Sequence, residues 1–179
     1  NFEDIISYLL KIAPEATCFR SHRYFDVTDI NVLLAEKGFS YDSNLFSFLT
    51  KLEPHMHFTG MVRFPCFWEE GTWLRNVESL ELPTIETLLF SPGITILSVH
   101  PMHMVMNSPD FGYARRVKDQ VSREEWSSMD ELALNKVKYP KRGIRDFTED
   151  MIELITRKGY KFHTLNEVYE IYKKTLVKD

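Results

Sequence analysis

Three short apolar runs in this chain each end in polar residues that a sheet interior cannot hold. Thr95-Ile96-Leu97-Ser98-Val99 runs into His100-Pro101-Met102-His103, Ala16-Thr17-Cys18-Phe19 into Arg20-Ser21-His22, and Met61-Val62-Arg63-Phe64-Pro65 into Trp68-Glu69-Glu70. Stretches of helical periodicity lie between them. Strands alternating with helices specify an α/β fold, a mostly parallel sheet covered by helices and joined by right-handed crossovers. In such folds chemistry gathers at the carboxyl ends of the strands, so polar punctuation repeated at that end marks a site and an enzyme-type scaffold.

The helical stretches read clearly. Phe2, Ile5, Ile6, Leu9 and Leu10 share one face of a first helix that ends near Lys11, and Pro14 then forces an extended path towards Thr17-Cys18-Phe19. Thr28 is placed to cap a second helix carrying Ile30, Leu33 and Leu34, stopped by Gly38, with Phe39-Ser40-Tyr41 as the next strand. Asp42-Ser43-Asn44 closes that strand with side chains that bond their own backbone, and a further strand is expected from His57 to Phe64. Pro83-Thr84-Ile85 opens a short helix, Ile94 to Val99 is a strand, and Thr148 to Lys158 is an amphipathic helix stopped by Gly159. Tyr160-Lys161-Phe162 reads as a last strand before Thr164-Leu165-Asn166-Glu167, a capping box that starts the final helix. Residues 107–146, polar and rich in both charges, read as an insertion, rim or lid. About five strands result, fewer than the roughly eight of a closed barrel.

Composition narrows the function. A chain of 179 residues with a net charge of −4 and interspersed signs has no broad basic face, which argues against nucleic acid or an anionic membrane surface as a partner. The cysteines, Cys18 and Cys66, have neither zinc-site nor disulfide spacing; they read as small buried apolar residues in a reducing, cytoplasmic setting. No run is long enough to span a bilayer. No glycine-rich phosphate cradle and no G-x-S-x-G elbow is present, which disfavours nucleotide cofactors and acyl-enzyme chemistry. The chain opens at Asn1 directly on a helix, the pattern expected in the middle of a longer protein.

Five motifs in order carry a resemblance: Cys18-Phe19-Arg20-Ser21-His22-Arg23, Lys37-Gly38-Phe39-Ser40-Tyr41-Asp42-Ser43-Asn44, Phe64-Pro65-Cys66-Phe67-Trp68-Glu69, Ser98-Val99-His100-Pro101, and Lys158-Gly159-Tyr160-Lys161-Phe162-His163-Thr164-Leu165. Together they resemble the carboxyl-terminal part of the polysaccharide deacetylase family of the NodB-homology type, in a divergent branch. The resemblance implies a distorted (β/α) barrel, incomplete over residues 1–179 and forming a single partial domain. It also implies hydrolysis of an N-acetyl amide on a sugar, with a divalent metal, usually zinc, activating water. The family's paired-Asp and H-x-x-x-H metal motifs have no counterpart in this sequence and are expected upstream of Asn1, so the metal ligands are unknown.

By the same resemblance Arg20 orients a catalytic carboxylate and His100 is the general acid. His22, Trp68, Glu69, His103 and Asn107 are the candidates for substrate binding, and Glu69 is the carboxylate to consider for chemistry. Structural alternatives stand beside them. Arg20 can cap a sheet edge or pair with Asp42, Trp68 can be core, Asn107 can close a turn, and His100 and His103 can be satisfied histidines, with Pro101 holding them on a loop at a strand end. His55-Met56-His57 would place two imidazoles on one strand face, and without a third ligand reads as surface. Two functions follow: a carbohydrate deacetylase, or a non-catalytic carbohydrate-binding or scaffold homologue in surface-polysaccharide biosynthesis. Missing upstream strands would leave a sheet edge exposed, so self-association or pairing with the absent amino-terminal segment is expected.

Overall fold

A computed structural model describes residues 1–77 and 79–176. In chain order the elements are α1 (Phe2–Ile12), β1 (Cys18–Phe19), α2 (Thr28–Glu36), β2 (Tyr41–Asp42), β3 (His55–Met56), β4 (Val62–Arg63), β5 (Trp68–Glu69), α3 (Glu70–Asn76), α4 (Pro83–Leu89) and β6 (Leu97–Ser98). Then follow α5 (Pro101–Met106), α6 (Tyr113–Lys118), α7 (Arg123–Ser127), α8 (Glu131–Val137), α9 (Ile144–Arg157) and α10 (Leu165–Leu176). The chain divides into two units, Asn1–Phe67 with Gly93–Ile96 and Phe162–Asp179, and Trp68–Pro92 with Leu97–Lys161.

In the first unit four short strands form a sheet in the order β1-β2-β4-β3. β1, β2 and β4 are parallel, with Cys18 opposite Tyr41 and Asp42 opposite Arg63. β3 runs antiparallel to β4, because the chain turns at Phe58-Thr59-Gly60, inside the run expected as one strand from His57 to Phe64. Gly60 has φ +87°, which suits glycine, and the His57 amide donates to the Met61 carbonyl at 2.8 Å. Thr28 is the first helical residue of α2 and not its cap; the extended Val27 precedes it. Gly38, at φ +92°, ends α2 as its position implied. One core cluster joins Ile6, Ile30, Leu34, Phe39 and Met61; another packs Tyr41, Val62 and Phe64 under Val168, Tyr169 and Tyr172 of α10. The capping box of α10 forms as written, with Glu167 accepting from the Thr164 amide at 2.7 Å and its own amide reaching Thr164 Oγ1 at 3.2 Å.

α1 is apolar on more faces than it buries. Ile6 is buried, while Phe2, Ile5 and Ile12 are 50, 62 and 68 % exposed. Cys18 is also exposed, against the expectation for a small apolar thiol, whereas Cys66 is fully buried.

The second unit holds β5 and β6 as a parallel pair, Trp68 opposite Leu97 and Glu69 opposite Ser98. Its core stacks Trp73 on Phe147, ring centroids 5.3 Å apart, with Trp68 against both. Burial of a ring the size of Phe147 stabilises by about 1.5–3 kcal/mol. Residues 107–146 are not a plain connection: α6, α7 and α8 fall within them, and Ala114 and Val117 bury against Met106 with Trp126 and Val137 alongside. Tyr160-Lys161-Phe162 forms no strand, and Phe162 is 54 % exposed. Among the described residues the strands form a four-stranded and a two-stranded sheet, and neither closes into a barrel. No described helix is long and apolar enough to cross a membrane.

Candidate active site

Where β5 gives way to α3, two consecutive glutamates take different directions. Glu69 is extended, at φ −142° and ψ 130°, and Glu70 begins the helix. The strand's alternation therefore stops between them. The Glu70 side chain is fully buried and that of Glu69 is 12 % exposed. Glu69 Oε2 accepts a short hydrogen bond from Thr72 Oγ1. A Cβ on Gly71 would lie 3.1 Å from Glu69 Oε1, so the absence of a side chain there lets the carboxylate fold back over the helix start.

His100 stands at the end of β6 and is the extended residue that precedes α5. The expectation that Pro101 holds a loop is corrected. Proline sits at the first position of α5, where its missing N–H goes unused and its fixed φ suits a helix. Glu70 Oε1 accepts twice from His100, from the backbone N–H at 2.9 Å and from ring Nδ1 at 2.7 Å. Glu69 Oε1 is 3.3 Å from the same nitrogen. A carboxylate can only accept, so we assign the ring proton to Nδ1, which leaves Nε2 as the unengaged nitrogen of a ring that is 49 % exposed.

His103 lies one helical turn on, its ring 6.4 Å from that of His100 and nearly perpendicular to it. Its Nδ1 is 3.0 Å from Ser108 Oγ. Burial pushes its pKa below the ordinary value, more than the nearby carboxylates of Glu70 and Glu69 can restore. Asn107 ends α5 in the left-handed conformation, φ 49° and ψ 47°. Its amide nitrogen reaches the Lys141 carbonyl at 2.9 Å and Asp146 Oδ2 at 2.8 Å, and its oxygen accepts from the Arg145 amide at 3.0 Å. Those bonds close a turn, one of the two roles open to Asn107 from the sequence. Trp68, also a substrate candidate, is fully buried against Trp73 and Phe147 and offers no face for a sugar; the structure places it in the core.

Arg20 and His22 belong to the first unit. Both are exposed, in the segment that leaves β1, and among the described residues Arg20 makes no ion pair. The pairing of Arg20 with Asp42 does not occur. Arg63 takes Asp42 instead, through Nη2 at 3.0 Å, and also binds Asp26 at 2.6 Å. Burial resists the charge on Asp26, but hydrogen bonds from Arg63 and Asn31 outweigh it and hold its pKa below the usual aspartate range. The segment carrying Arg20 and His22 is clamped by the buried Asn44. Asn44 Oδ1 accepts from the Ser21 amide and hydroxyl at 3.0 and 2.7 Å, and its nitrogen donates to the Phe25 carbonyl at 2.8 Å. Arg23 and Tyr24 both have positive φ, 58° and 54°, a strained pair that this clamp sustains.

Glu70 is the residue that sequence reasoning passed over. The signal was the doubled glutamate at a strand end, of which only the first was weighed. Glu69, Glu70 and His100 each offer one ligand atom, and the three atoms lie within 4.8 Å of one another. Glu70 Oε2 is buried and has no hydrogen-bond partner among the described residues. Two carboxylates and an imidazole form a donor set that suits a divalent cation, so the residues fit a metal as well as a proton-transfer pair.

A family model described as WbmS-like polysaccharide deacetylase matches residues 1–118. Among curated proteins none matches the chain. The fold is similar to a crystal structure from Bordetella bronchiseptica designated a polysaccharide deacetylase involved in O-antigen biosynthesis, with a TM-score of 0.71, 26 % identity and 84 % of this chain covered. The chain spans 61 % of the length of that structure. Members of such deacetylase families generally depend on a metal. With the strand-end histidine set on its buried carboxylate and the family model spanning most of the chain, we conclude that the chain belongs to the WbmS-like polysaccharide deacetylases.

Proposed function

We propose that this chain takes part in hydrolysing an N-acetyl amide on a carbohydrate, with His100 Nε2 first taking up a proton from solvent and then passing it to the leaving amine. The double hydrogen bond from His100 to Glu70 Oε1 carries the reading, because it sets ring direction and tautomer together. Glu70 is then a positioning residue, and Glu69 is the carboxylate able to meet a water or a sugar hydroxyl. Arg20, exposed and without an ion pair among the described residues, is available to orient a carboxylate, as the resemblance implies. The fold is the carboxyl-terminal part of the family's distorted barrel, a reading supported by the parallel order β1-β2-β4 and by the share of the related structure that is matched.

The unpartnered Oε2 of Glu70 favours a second use of the same residues. Glu69, Glu70 and His100 would hold a divalent metal, zinc by its liking for mixed oxygen and nitrogen donors. When bound, that metal supplies a Lewis acid and a more acidic water. The two uses of His100 exclude each other.

Acetate release from N-acetylated sugars by the protein and by His100→Ala, with metal content measured on both, tests the reading. The general-acid role predicts a rate loss of about 10²–10⁴-fold at unchanged metal content. Metal lost together with activity would assign His100 as a ligand. Sugar binding without acetate release in the parent protein would make it a non-catalytic homologue, and the hydrolase reading would fall.

A further inference from the structure

A cavity of about 480 Å³ lies in the second unit, walled by Asn135 of α8, by Lys138, Tyr139, Lys141 and Arg142 of the segment that follows, and by Asp146 in the first turn of α9. Its volume falls in the range of small-molecule sites, roughly 300–1,000 Å³. None of these residues belongs to the Glu69, Glu70 and His100 group.

The charges in its wall do not cancel. Arg142 is already engaged, with Glu81 at 3.2 Å, Asp150 at 2.8 Å and the Leu80 carbonyl at 3.0 Å. The Asp146 carboxylate accepts from the Gly143 amide at 3.0 Å and from Asn107 Nδ2 at 2.8 Å. Lys138 and Lys141 make no ion pair among the described residues, and Lys138 is half-buried. Asp146 attracts Lys138 electrostatically, but one carboxylate stands against two lysines, so the wall keeps an excess of positive charge that an anion would offset. Two neutral residues able to hydrogen-bond, Asn135 and Tyr139, share the wall with the two lysines.

The wall is also built in advance. Asn107 Nδ2 donates to the carbonyls of both Tyr139 and Lys141, at 3.3 and 2.9 Å, which ties down the segment carrying both lysines. Little ordering is left for a ligand to bring about.

We propose that this cavity binds a small polyhydroxylated molecule bearing an anionic oxygen group, a phosphate or a carboxylate, between Lys138 and Lys141. The anionic part of the ligand rests on the cavity alone; its carbohydrate part rests on the reading given under Proposed function.

Calorimetric titration of the protein with glucose 1-phosphate, glucuronate, inorganic phosphate and neutral N-acetylglucosamine tests this, with a Lys138→Ala/Lys141→Ala variant whose melting temperature confirms an intact fold. At least one anionic sugar should bind about tenfold or more tightly than the neutral one, and the double substitution should remove most of that preference. The tighter of the two anionic sugars identifies the charged group, and inorganic phosphate binding as well as either sugar would remove the polyhydroxylated part of the claim. Equal binding of charged and neutral sugars, undiminished binding by the double variant, or no binding up to about 10 mM would overturn the proposal. Its failure with acetate release intact would leave the hydrolase reading standing, and anion binding without acetate release would do the reverse.

Discussion

Arg63 holds the buried carboxylate of Asp42 from its side, with Nε at 3.1 and 3.2 Å from the two oxygens and Nη2 at 3.0 Å from one of them. The two residues face each other across the parallel strands β2 and β4, so the sheet register itself brings them together. Their side chains are 7 and 1 % exposed.

Removing one member of a buried pair leaves the other charged and unsolvated. Arg63→Ala is therefore expected to destabilise the fold by about 3–5 kcal/mol in urea unfolding. A double Arg63→Met/Asp42→Leu variant, which removes both charges, should recover most of that loss. A cost for Arg63→Ala under about 1 kcal/mol, the level of exposed ion pairs, would show that the pair is not buried in solution.

Acid should weaken the first unit through Asp26. Its pKa is held below the ordinary 3.8, so the unfolded chain takes up its proton first as pH falls. The stabilisation is complete above that ordinary value and disappears as pH falls through the lowered one. Unfolding free energies measured between roughly pH 5 and 2 should decline, and Asp26→Asn should flatten the curve. An unchanged slope in that variant would contradict the ion pair with Arg63.

A second pH effect belongs to His103. Burial lowers its pKa from the ordinary 6.5, with Glu70, Glu69 and Asp110 opposing and His100 assisting. The unfolded chain protonates first, so the fold loses stability as pH falls below about 6.5, until the lowered value is passed. His103→Gln should lessen the slope across that window in urea titrations. His57, whose pKa is also lowered, mainly by burial, contributes in the same direction, and a His57→Gln variant separates the two shares.

Among the glycines, Gly143 leaves the least room for a methyl group. A Cβ there would collide with the backbone carbonyl oxygen of Asn107, which is not the movable end of a side chain. Gly143→Ala should destabilise by about 1–3 kcal/mol or more and lower the melting temperature accordingly. A neutral outcome would mean that α9 does not start against Asn107.

How much of this was legible depends on how local the cause was. α1, α9 and α10 were readable because an apolar stripe repeats on one face, and the Thr164 to Glu167 box because both its bonds are made within four residues. The helices within residues 107–146 had a comparable signal in Ser122 and Glu125, which form a capping box, but the density of charge there read as an insertion, rim or lid with no elements assigned. Strands were overextended because apolar content does not reveal where pairing stops; Ile94 to Val99 contributes only Leu97–Ser98 to a ladder. Position predicted that His100 would project from a strand end. Its partner Glu70 was hidden, because the pairing depends on where a strand becomes a helix, and apolar pattern alone does not mark that boundary. The choice of Arg63 over Arg20 as the partner of Asp42 follows from strand register, which a single sequence does not display.

α5 is only six residues long, with His100 immediately before it and Asn107 immediately after. At about 1.5 Å per residue it acts as a ruler of roughly 9 Å, and each residue added or removed would swing one end about 100° relative to the other. Asn107 is bolted to the start of α9 by its carboxamide, so the error would fall on His100 and turn its imidazole away from Glu70. Relatives that keep both residues are therefore expected to keep the same count between them, whatever apolar side chains fill it.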